Sequence, residues 1–169
     1  MTREDFAGLY DVQYPRVFRY LLWRLRKRDA AEEIAAEVFA TALTTLQKGT
    51  EPRQIGSWLI GIADHLATRS FRKRRTEDAV VEAGPAGEQD PEELVLGRIE
   101  SGMIWRCVDA LSPEHQQVLL LRVIAGLSAR EVGGLMGKTE EAVRSLQLRA
   151  LQALRALWKE ADEGAKLRD

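Results

Sequence analysis

Apolar residues recur at the spacing of an α-helix, every third or fourth position, along almost the whole chain. No run alternates apolar and polar residues, as a half-buried β-strand would require. Hydrophobic residues make up 45% of the 169 positions, which is enough apolar material for one ordinary domain or two small helical ones. The pattern therefore predicts an all-α fold.

The first half of the chain divides into four predicted helices. The first covers roughly Arg3–Gln13, and Pro15 suits the first turn of a second helix. A third helix is predicted near Ala30–Gln47, and a fourth begins at about Ile55. Glycine and proline mark Lys48–Pro52, between the last two, as a loop. The core positions predicted for the fourth helix are Trp58, Leu59, Ile62 and Leu66.

The helical period stops in the middle of the chain. Residues 76–90 contain Gly84, Pro85 and Gly87 among acidic side chains, a composition typical of a flexible linker. We therefore predict two small helical domains, residues 1–75 and 91–169, joined by this acidic linker. The second domain is expected to open with a helix from Pro91 to about Leu111.

Three helix boundaries follow one another closely in the second domain. Ser112 followed by proline starts a helix that is expected to run to about Ala125. Ser128, with Glu131 three residues later, forms a capping box for a short helix that ends at Gly137. Thr139 then caps a longer helix with outward-facing basic residues. A short helix, a turn containing glycine and a longer helix predict a helix-turn-helix.

Charge is distributed unevenly along the chain, although the formal net charge is only −1. Residues 1–75 carry 14 Lys and Arg against 9 Asp and Glu, and residues 76–100 carry 1 against 8. Residues 101–169 are close to balanced, with 10 against 9. The negative charge of residues 76–100 therefore offsets the positive charge of the first domain in the net value. A basic first domain permits a nucleic-acid partner.

Several classes of protein are disfavoured by what the sequence lacks. Cys107 is the single cysteine, so no internal disulfide forms and a reducing compartment is expected. No apolar run approaches the ~18 residues that cross a bilayer, and acidic residues stand where a signal peptide would be apolar. His65 and His115 lie far apart, and neither a metal-ligand spacing nor a nucleophile–base pair is visible. We expect a cytoplasmic protein with no catalytic residues, no metal and no cofactor.

Two groups of residues together resemble the sigma-70 family of bacterial transcription factors. The second half is similar to the family's promoter-binding domain through LSP at 111–113, VLLLR at 118–122, GLS at 126–128, EV at 131–132 and AVRS at 142–145. The first half is similar to the family's other domain through AEEIAAEVF at 31–39, WL at 58–59 and IA at 62–63. The resemblance covers nearly the whole chain, and its two-domain layout is that of the extracytoplasmic-function (ECF) type.

The resemblance implies three binding surfaces. The helix near Ala30–Gln47 would dock on the clamp helices of the largest subunit of core RNA polymerase, through Glu32, Glu33, Ile34, Glu37 and Val38. The loop before Ile55 and the helix after it would hold the non-template strand of the −10 element, through Gln47, Lys48, Thr50, Arg53, Gln54, His65 and Arg72. The helix after the turn would read the −35 element in the major groove, through Arg144, Ser145, Leu148 and Arg149. Family members usually have more arginine in this helix, where the chain has Leu146 and Leu151.

Three functions remain open at this point, the least favoured of which is a protein-interaction module such as an inactive sigma homologue. The first is an RNA polymerase sigma factor that directs promoter-specific initiation and works only with core polymerase. An anti-sigma factor is then an expected partner, as is common for the ECF type. The alternative is a stand-alone helix-turn-helix regulator that binds duplex operator DNA by itself. Strong binding to promoter duplex without polymerase would favour the second.

Overall fold

The structure is a computed structural model that describes residues 1–77 and 98–168. These residues form seven α-helices and no strand, which confirms the predicted all-α fold. The chain divides into two compact units, Met1–Gln89 and Asp90–Asp169. Most of the predicted linker, and the start of the helix predicted from Pro91, lie outside the described residues.

The first helix, α1, runs without a break from Arg3 to Leu25. The prediction of two helices separated near Pro15 is therefore wrong, because Pro15 lies inside α1. A proline within a helix removes one backbone hydrogen bond and costs about 3 kcal/mol. Side-chain contacts on both sides of Pro15, within α1 and to α2, offset part of that cost.

An aromatic ladder supplies these contacts. Tyr10 stacks on Tyr14 with ring centroids 5.0 Å apart, and Tyr14 stacks on Phe18 at 5.7 Å. Tyr10 also meets the ring of Phe39 edge-on at 4.7 Å. Aromatic pairs of this kind each contribute about 0.5–1.5 kcal/mol beyond the area that they bury. Because the ladder spans the proline, it holds both halves of α1 in one helix.

The first unit is completed by α2 (Arg28–Gln47) and α3 (Ile55–Glu77), each of which packs on α1 and on the other. Its core takes residues from all three helices. The fully buried side chains include Val17, Tyr20, Leu21, Val38, Leu59 and Ile60. Two of the core positions predicted in α3, Trp58 and Ile62, are only partly buried. The inward stripe of α3 is centred instead on Leu59, Ile60, Ala63, Leu66 and Ala67.

The second unit contains α4 (Arg98–Ala110), α5 (Pro113–Leu119), α6 (Ala129–Met136) and α7 (Glu140–Lys166). The long helix α7 packs against each of the other three. Between α5 and α6, Leu120–Ile124 form a π-helical turn, in which the Ala125 amide donates to the Leu120 carbonyl at 2.9 Å. The helix predicted from Ser112 to about Ala125 thus has the expected length but a widened last turn.

Candidate nucleic-acid interface

The helix-turn-helix of the second unit is fixed by hydrogen bonds at its helix ends. The Glu131 amide donates to the Ser128 hydroxyl at 3.1 Å, and the Ser128 amide donates to the Glu131 carboxylate at 2.7 Å. Gly137 ends α6 in the left-handed conformation, with φ at 66°. The Thr139 hydroxyl then accepts from the Ala142 amide at 3.1 Å and caps α7. The predicted capping box, glycine cap and threonine cap are all confirmed.

Helix α7 has one face in the core and one in solvent. Val143, Leu146 and Ala150 are buried against the other helices of the unit. On the outward side lie the four predicted base-reading residues, Arg144, Ser145, Leu148 and Arg149, all of which are exposed. Leu146 therefore packs inward, so arginine at that position would not add a contact on the outward face.

Ion pairs place charge around the start of α7. The Arg144 guanidinium pairs with the Glu140 carboxylate one turn earlier in α7. Both side chains are exposed, so the guanidinium is accessible from solvent. Lys138, in the turn, lies 2.6 Å from the Glu114 carboxylate in the first turn of α5. The hydrogen bond and positive charge of Lys138 lower the pKa of Glu114 below its ordinary value. The turn is thereby tied to α5 by charge as well as by packing.

Arg122 holds α7 in place, a role that the sequence analysis missed. Its Nε donates to Gln147 Oε1 at 2.8 Å, and its Nη1 donates to the Leu127 carbonyl at 2.6 Å. The planar guanidinium thus joins the π-helical turn to both the start of the helix-turn-helix and the second turn of α7. The only indication of this role in the sequence was the single arginine that ends the apolar run at 118–122.

The loop between α2 and α3 begins with a defined turn. Gly49 has φ at 89°, and its amide donates to the Leu46 carbonyl at 3.0 Å. The Thr50 amide donates to the Thr45 carbonyl at 3.4 Å. This pair of bonds is the Schellman motif, which requires a left-handed residue at the position of Gly49. The turn directs the following residues away from the helix axis and towards solvent.

A cavity of about 690 Å³ lies between this loop and α1. Leu9, Leu46 and Ile55 provide apolar lining, while Gln47 and Thr50 add polar groups. Lys48, Arg53 and Gln54, the other predicted loop residues, are exposed. The loop therefore combines exposed cations with an opening whose lining is apolar, polar and, at Asp5 and Glu51, acidic.

The outward side of α3 gathers residues spaced seven apart. His65 and Arg72 are both exposed, and Trp58, partly buried, lies on the same side two turns before His65. At the first turn of this helix, a Cβ on Gly56 would overlap the Arg16 guanidinium of α1. Glycine at that position lets Arg16 approach the end of the loop, a contact that sequence analysis did not predict.

The predicted polymerase-docking residues of α2 divide into two groups. Glu32, Glu33 and Glu37 are exposed, whereas Ile34 is 8% exposed and Val38 is fully buried. Val38 lies in the core of the unit and has no exposed surface for a partner, whereas Ile34, although mostly buried, lines a groove between α2 and α3 together with Glu33 and Glu37. The apolar stripe of a helix faces its neighbours.

A groove of about 390 Å³ runs between α2 and α3 beside the acidic residues. Glu33 and Glu37 line one side, and Arg69 and Lys73 line the other. Glu32 lies outside this groove and pairs with Arg28 at 3.2 Å. The groove between α2 and α3 therefore has one acidic and one basic wall.

Other classes of site find little support in the described parts of the chain. Within residues 1–77 and 98–168, no three His, Cys, Asp or Glu side chains are grouped as metal ligands would be. None of the helices in these ranges has both the length and the apolar character that crossing a bilayer takes.

Comparison with known families matches both units. Residues 9–77 match Sigma-70 region 2, and residues 107–156 match Sigma-70 region 4. The first range contains the loop, the acidic groove and the outward side of α3. The second contains the helix-turn-helix and all four predicted base-reading residues of α7.

Individual proteins show the same likeness. The chain is 34% identical over 160 residues to the ECF RNA polymerase sigma factor BldN of Streptomyces coelicolor, covering 91% of this chain but only 60% of that protein. It is 30% identical over 150 residues to the ECF sigma factor SigD of Mycobacterium tuberculosis, covering 83% of this chain and 71% of that protein. Its fold resembles that of the sigma factor RpoE in a co-crystal structure with the anti-sigma factor NepR from Bartonella quintana. That match has a TM-score of 0.77 and 19% identity and covers 92% of this chain and 98% of the other.

A helix-turn-helix whose second helix presents arginines outward defines a protein of the duplex-DNA-binding class. The matches to both sigma regions identify the class more narrowly. The chain belongs to the ECF RNA polymerase sigma factors of the sigma-70 family.

Proposed function

We propose that this chain binds core RNA polymerase through its first unit and directs initiation at promoters whose −35 and −10 elements it recognises. The observation that carries the proposal is the exposed face of α7, where Arg144, Ser145, Leu148 and Arg149 stand opposite a buried stripe. A recognition helix held in this way can enter the major groove of duplex DNA. Run-off transcription with purified core polymerase on a promoter library tests the function directly.

Recognition of the −10 element is assigned to the loop between α2 and α3. A base flipped out of a strand needs a pocket with hydrogen-bonding groups, and the strand itself needs nearby cations. The cavity lined in part by Gln47 and Thr50 supports the first, and the exposed Lys48 and Arg53 of the same loop, with Gln54 next to Arg53, support the second. His65 and Arg72 extend the surface along α3.

Core polymerase is expected to contact the acidic wall of the groove between α2 and α3. Reversing the charge of Glu33 and Glu37 to Lys should weaken the affinity for core polymerase by at least tenfold, since close like charges across an interface cost several kcal/mol. The measurement is a titration of core polymerase with the labelled full-length chain. Far-UV circular dichroism checks that both variants remain folded.

The matched control reverses the same number of charges at other positions of the first unit. Glu4→Lys with Asp11→Lys, both exposed positions of α1, should leave the affinity close to that of the unchanged chain. Equal loss in both double variants would mean that only net charge matters, and the assignment of the groove would then be wrong.

Base reading by α7 makes a second prediction. Arg144→Ala and Arg149→Ala are tested in the holoenzyme on −35 variants over a salt series. An arginine that pairs with guanine O6 and N7 discriminates by about 1–3 kcal/mol, so its loss should remove the preference at one base pair. One that contacts only phosphate should weaken all sequences alike and reduce the salt slope by about one.

We expect at least one of the two arginines to behave as a base reader. Arg130→Ala, an exposed arginine of α6, serves as the control and should leave the preferences unchanged. If both α7 variants lose affinity uniformly, α7 positions the protein on DNA and sequence specificity lies in the −10 loop.

Three further expectations belong to this proposal. The chain acts as a binding protein in the cytoplasm, without a catalytic site or cofactor of its own. The two functional domains span residues 1–75 and 91–169, in accord with the separate matches to regions 2 and 4. An anti-sigma factor is a partner, as it is for the structurally similar RpoE. Its presence would suppress run-off transcription.

The stand-alone regulator is the less favoured function. It would use the helix-turn-helix but give no role to residues 9–77, which match Sigma-70 region 2. Tight binding of promoter duplex in the absence of polymerase would support it.

A further inference from the structure

Two leucines on α7 are exposed beside the predicted base readers. Leu148 is 59% exposed and Leu151 is 40% exposed, and the spacing of three places them on neighbouring parts of the outward side. The core contacts of this helix are made by Val143, Leu146 and Ala150 instead. Packing within the second unit therefore leaves most of Leu148 and a substantial part of Leu151 accessible to a partner.

Cations surround the pair. Arg144 lies one turn before Leu148, Arg149 follows it directly, and Arg155 lies one turn after Leu151, all three exposed. Arginine is enriched at protein–protein interfaces as well as at DNA interfaces, so the position of this mixture on the second helix of a helix-turn-helix, and not its charge, favours DNA as the partner. The mixture fits duplex DNA well, because arginines reach the phosphates and guanines while apolar side chains face the base edges.

The major groove offers an apolar side chain one characteristic partner. Each base pair presents hydrogen-bond donors and acceptors there, and thymine alone among the four bases adds a methyl group, at C5. Cytosine has no methyl group there and presents an amino group instead. A leucine would remove water from that amino group without replacing its hydrogen bond. Leucines on a recognition helix should therefore favour thymine.

We infer that Leu148 and Leu151 recognise the C5-methyl groups of thymines in the −35 element, with Leu148 as the principal contact. The inference rests on the proposed promoter-binding function of α7. It extends that function by naming a chemical group and by assigning specificity to side chains that donate no hydrogen bond. The −35 element should thus contain thymines, on either strand, whose methyl groups add to affinity.

Replacing thymine by deoxyuridine tests the inference, because it removes the methyl and leaves base pairing unchanged. Holoenzyme assembled from the full-length chain first selects duplexes from a pool randomised over the −35 region. Each thymine of the selected sequence is then replaced singly by deoxyuridine, and affinities are measured by competition. Loss of one buried methyl should weaken binding about fourfold at one or two positions.

The variant Leu148→Ala should bind the thymine and deoxyuridine duplexes equally at the principal position. Val123→Ala is the matched control, since Val123 is also 59% exposed but lies in the π-helical turn, outside α7. This variant should keep the full deoxyuridine penalty. Leu151→Ala should remove the penalty at a second position, where one is found.

The outcomes separate this inference from the function on which it rests. If holoenzyme selects no −35 sequence, the proposed function fails and the inference fails with it. If it selects a sequence and Arg144 or Arg149 behaves as a base reader, but every deoxyuridine is tolerated, the inference alone is wrong. A deoxyuridine penalty that persists unchanged in Leu148→Ala would also overturn it, because a side chain other than Leu148 would then contact the methyl group.

Discussion

Gly133→Ala should destabilise the second unit by about 2 kcal/mol, although alanine is the better helix former by about 1 kcal/mol. A Cβ on Gly133 would lie 2.5 Å from the carbonyl oxygen of Lys138, which is backbone and cannot rotate away. The turn is held close to α6 because the Lys138 amide donates to the Gly133 carbonyl at 2.9 Å. Any shift that makes room for the methyl must therefore open the turn between the two helices of the helix-turn-helix.

The neighbouring glycine provides the control. A Cβ on Gly134 would meet nothing within 4 Å, so Gly134→Ala should stabilise the unit by about 1 kcal/mol through helix propensity alone. Native-state hydrogen exchange in α6 and α7 measures both effects, and exchange in α2 of the first unit serves as an internal reference. Destabilisation by Gly133→Ala together with stabilisation by Gly134→Ala would establish that the turn lies close to α6 at Gly133. Stabilisation by both would mean that the turn relaxes at little cost.

The helix ends of the second unit could be predicted because their signals are local. A capping box needs only a serine and a glutamate three residues apart, and both bonds form between Ser128 and Glu131. Gly137 adopts a conformation that residues with a Cβ rarely take. Such features depend on the chain within one turn of the helix and not on what packs against it.

Pro15 shows where a local signal gives the wrong answer. Proline is common at the first turn of a helix, and this preference suggested a boundary there. The structure keeps one helix because Tyr10 and Phe18, on either side of Pro15, stack on Tyr14 between them, and Tyr10 also contacts Phe39 of α2. The spacing of those rings is visible in the sequence, but the position of Phe39 opposite them is not.

The candidate site was predicted as a set of positions and not as a surface. Family resemblance predicted the docking helix, yet Val38 is fully buried, while Glu33, Ile34 and Glu37 line a groove. One residue along a helix is a rotation of 100°, so membership of a motif does not fix which side chains are exposed. On α7, by contrast, the predicted arginines and Leu148 are all exposed, as a binding surface requires.

Buried polar residues were missed because a sequence gives them no partner. Asp64 is 8% exposed between apolar neighbours on α3, and Tyr20 of α1 is fully buried. The Tyr20 hydroxyl donates to Asp64 Oδ1 at 2.6 Å, and Arg24 Nε lies 3.8 Å from the same oxygen. The aspartate thus joins α1 to α3 inside the first unit, 44 residues away from its tyrosine partner.

Asp64→Ala should therefore destabilise the first unit by about 3 kcal/mol, because it leaves the Tyr20 hydroxyl and the largely buried Arg24 without their shared acceptor. Tyr20→Phe should cost less, about 1–2 kcal/mol, since Arg24 still compensates the carboxylate. Urea unfolding, with hydrogen exchange in α1 and α3 to locate the effect, measures both changes. Asp11→Ala and Tyr10→Phe, at exposed positions of α1, should each stay within about 0.5 kcal/mol of the unchanged chain.

The same hydrogen bond predicts a dependence on alkaline pH. Burial, together with the negative charge of Asp64, raises the pKa of Tyr20 well above its ordinary value of 10.0. In the unfolded chain Tyr20 ionises near that ordinary value, while in the folded chain it stays protonated. The unfolded state therefore binds fewer protons above pH 10, and the stability of the first unit falls as the pH rises further. Tyr20→Phe removes this contribution, so its unfolding free energy should fall less steeply above pH 10 than that of the unchanged chain. Identical slopes would mean that the tyrosine is not held in a buried, neutral form.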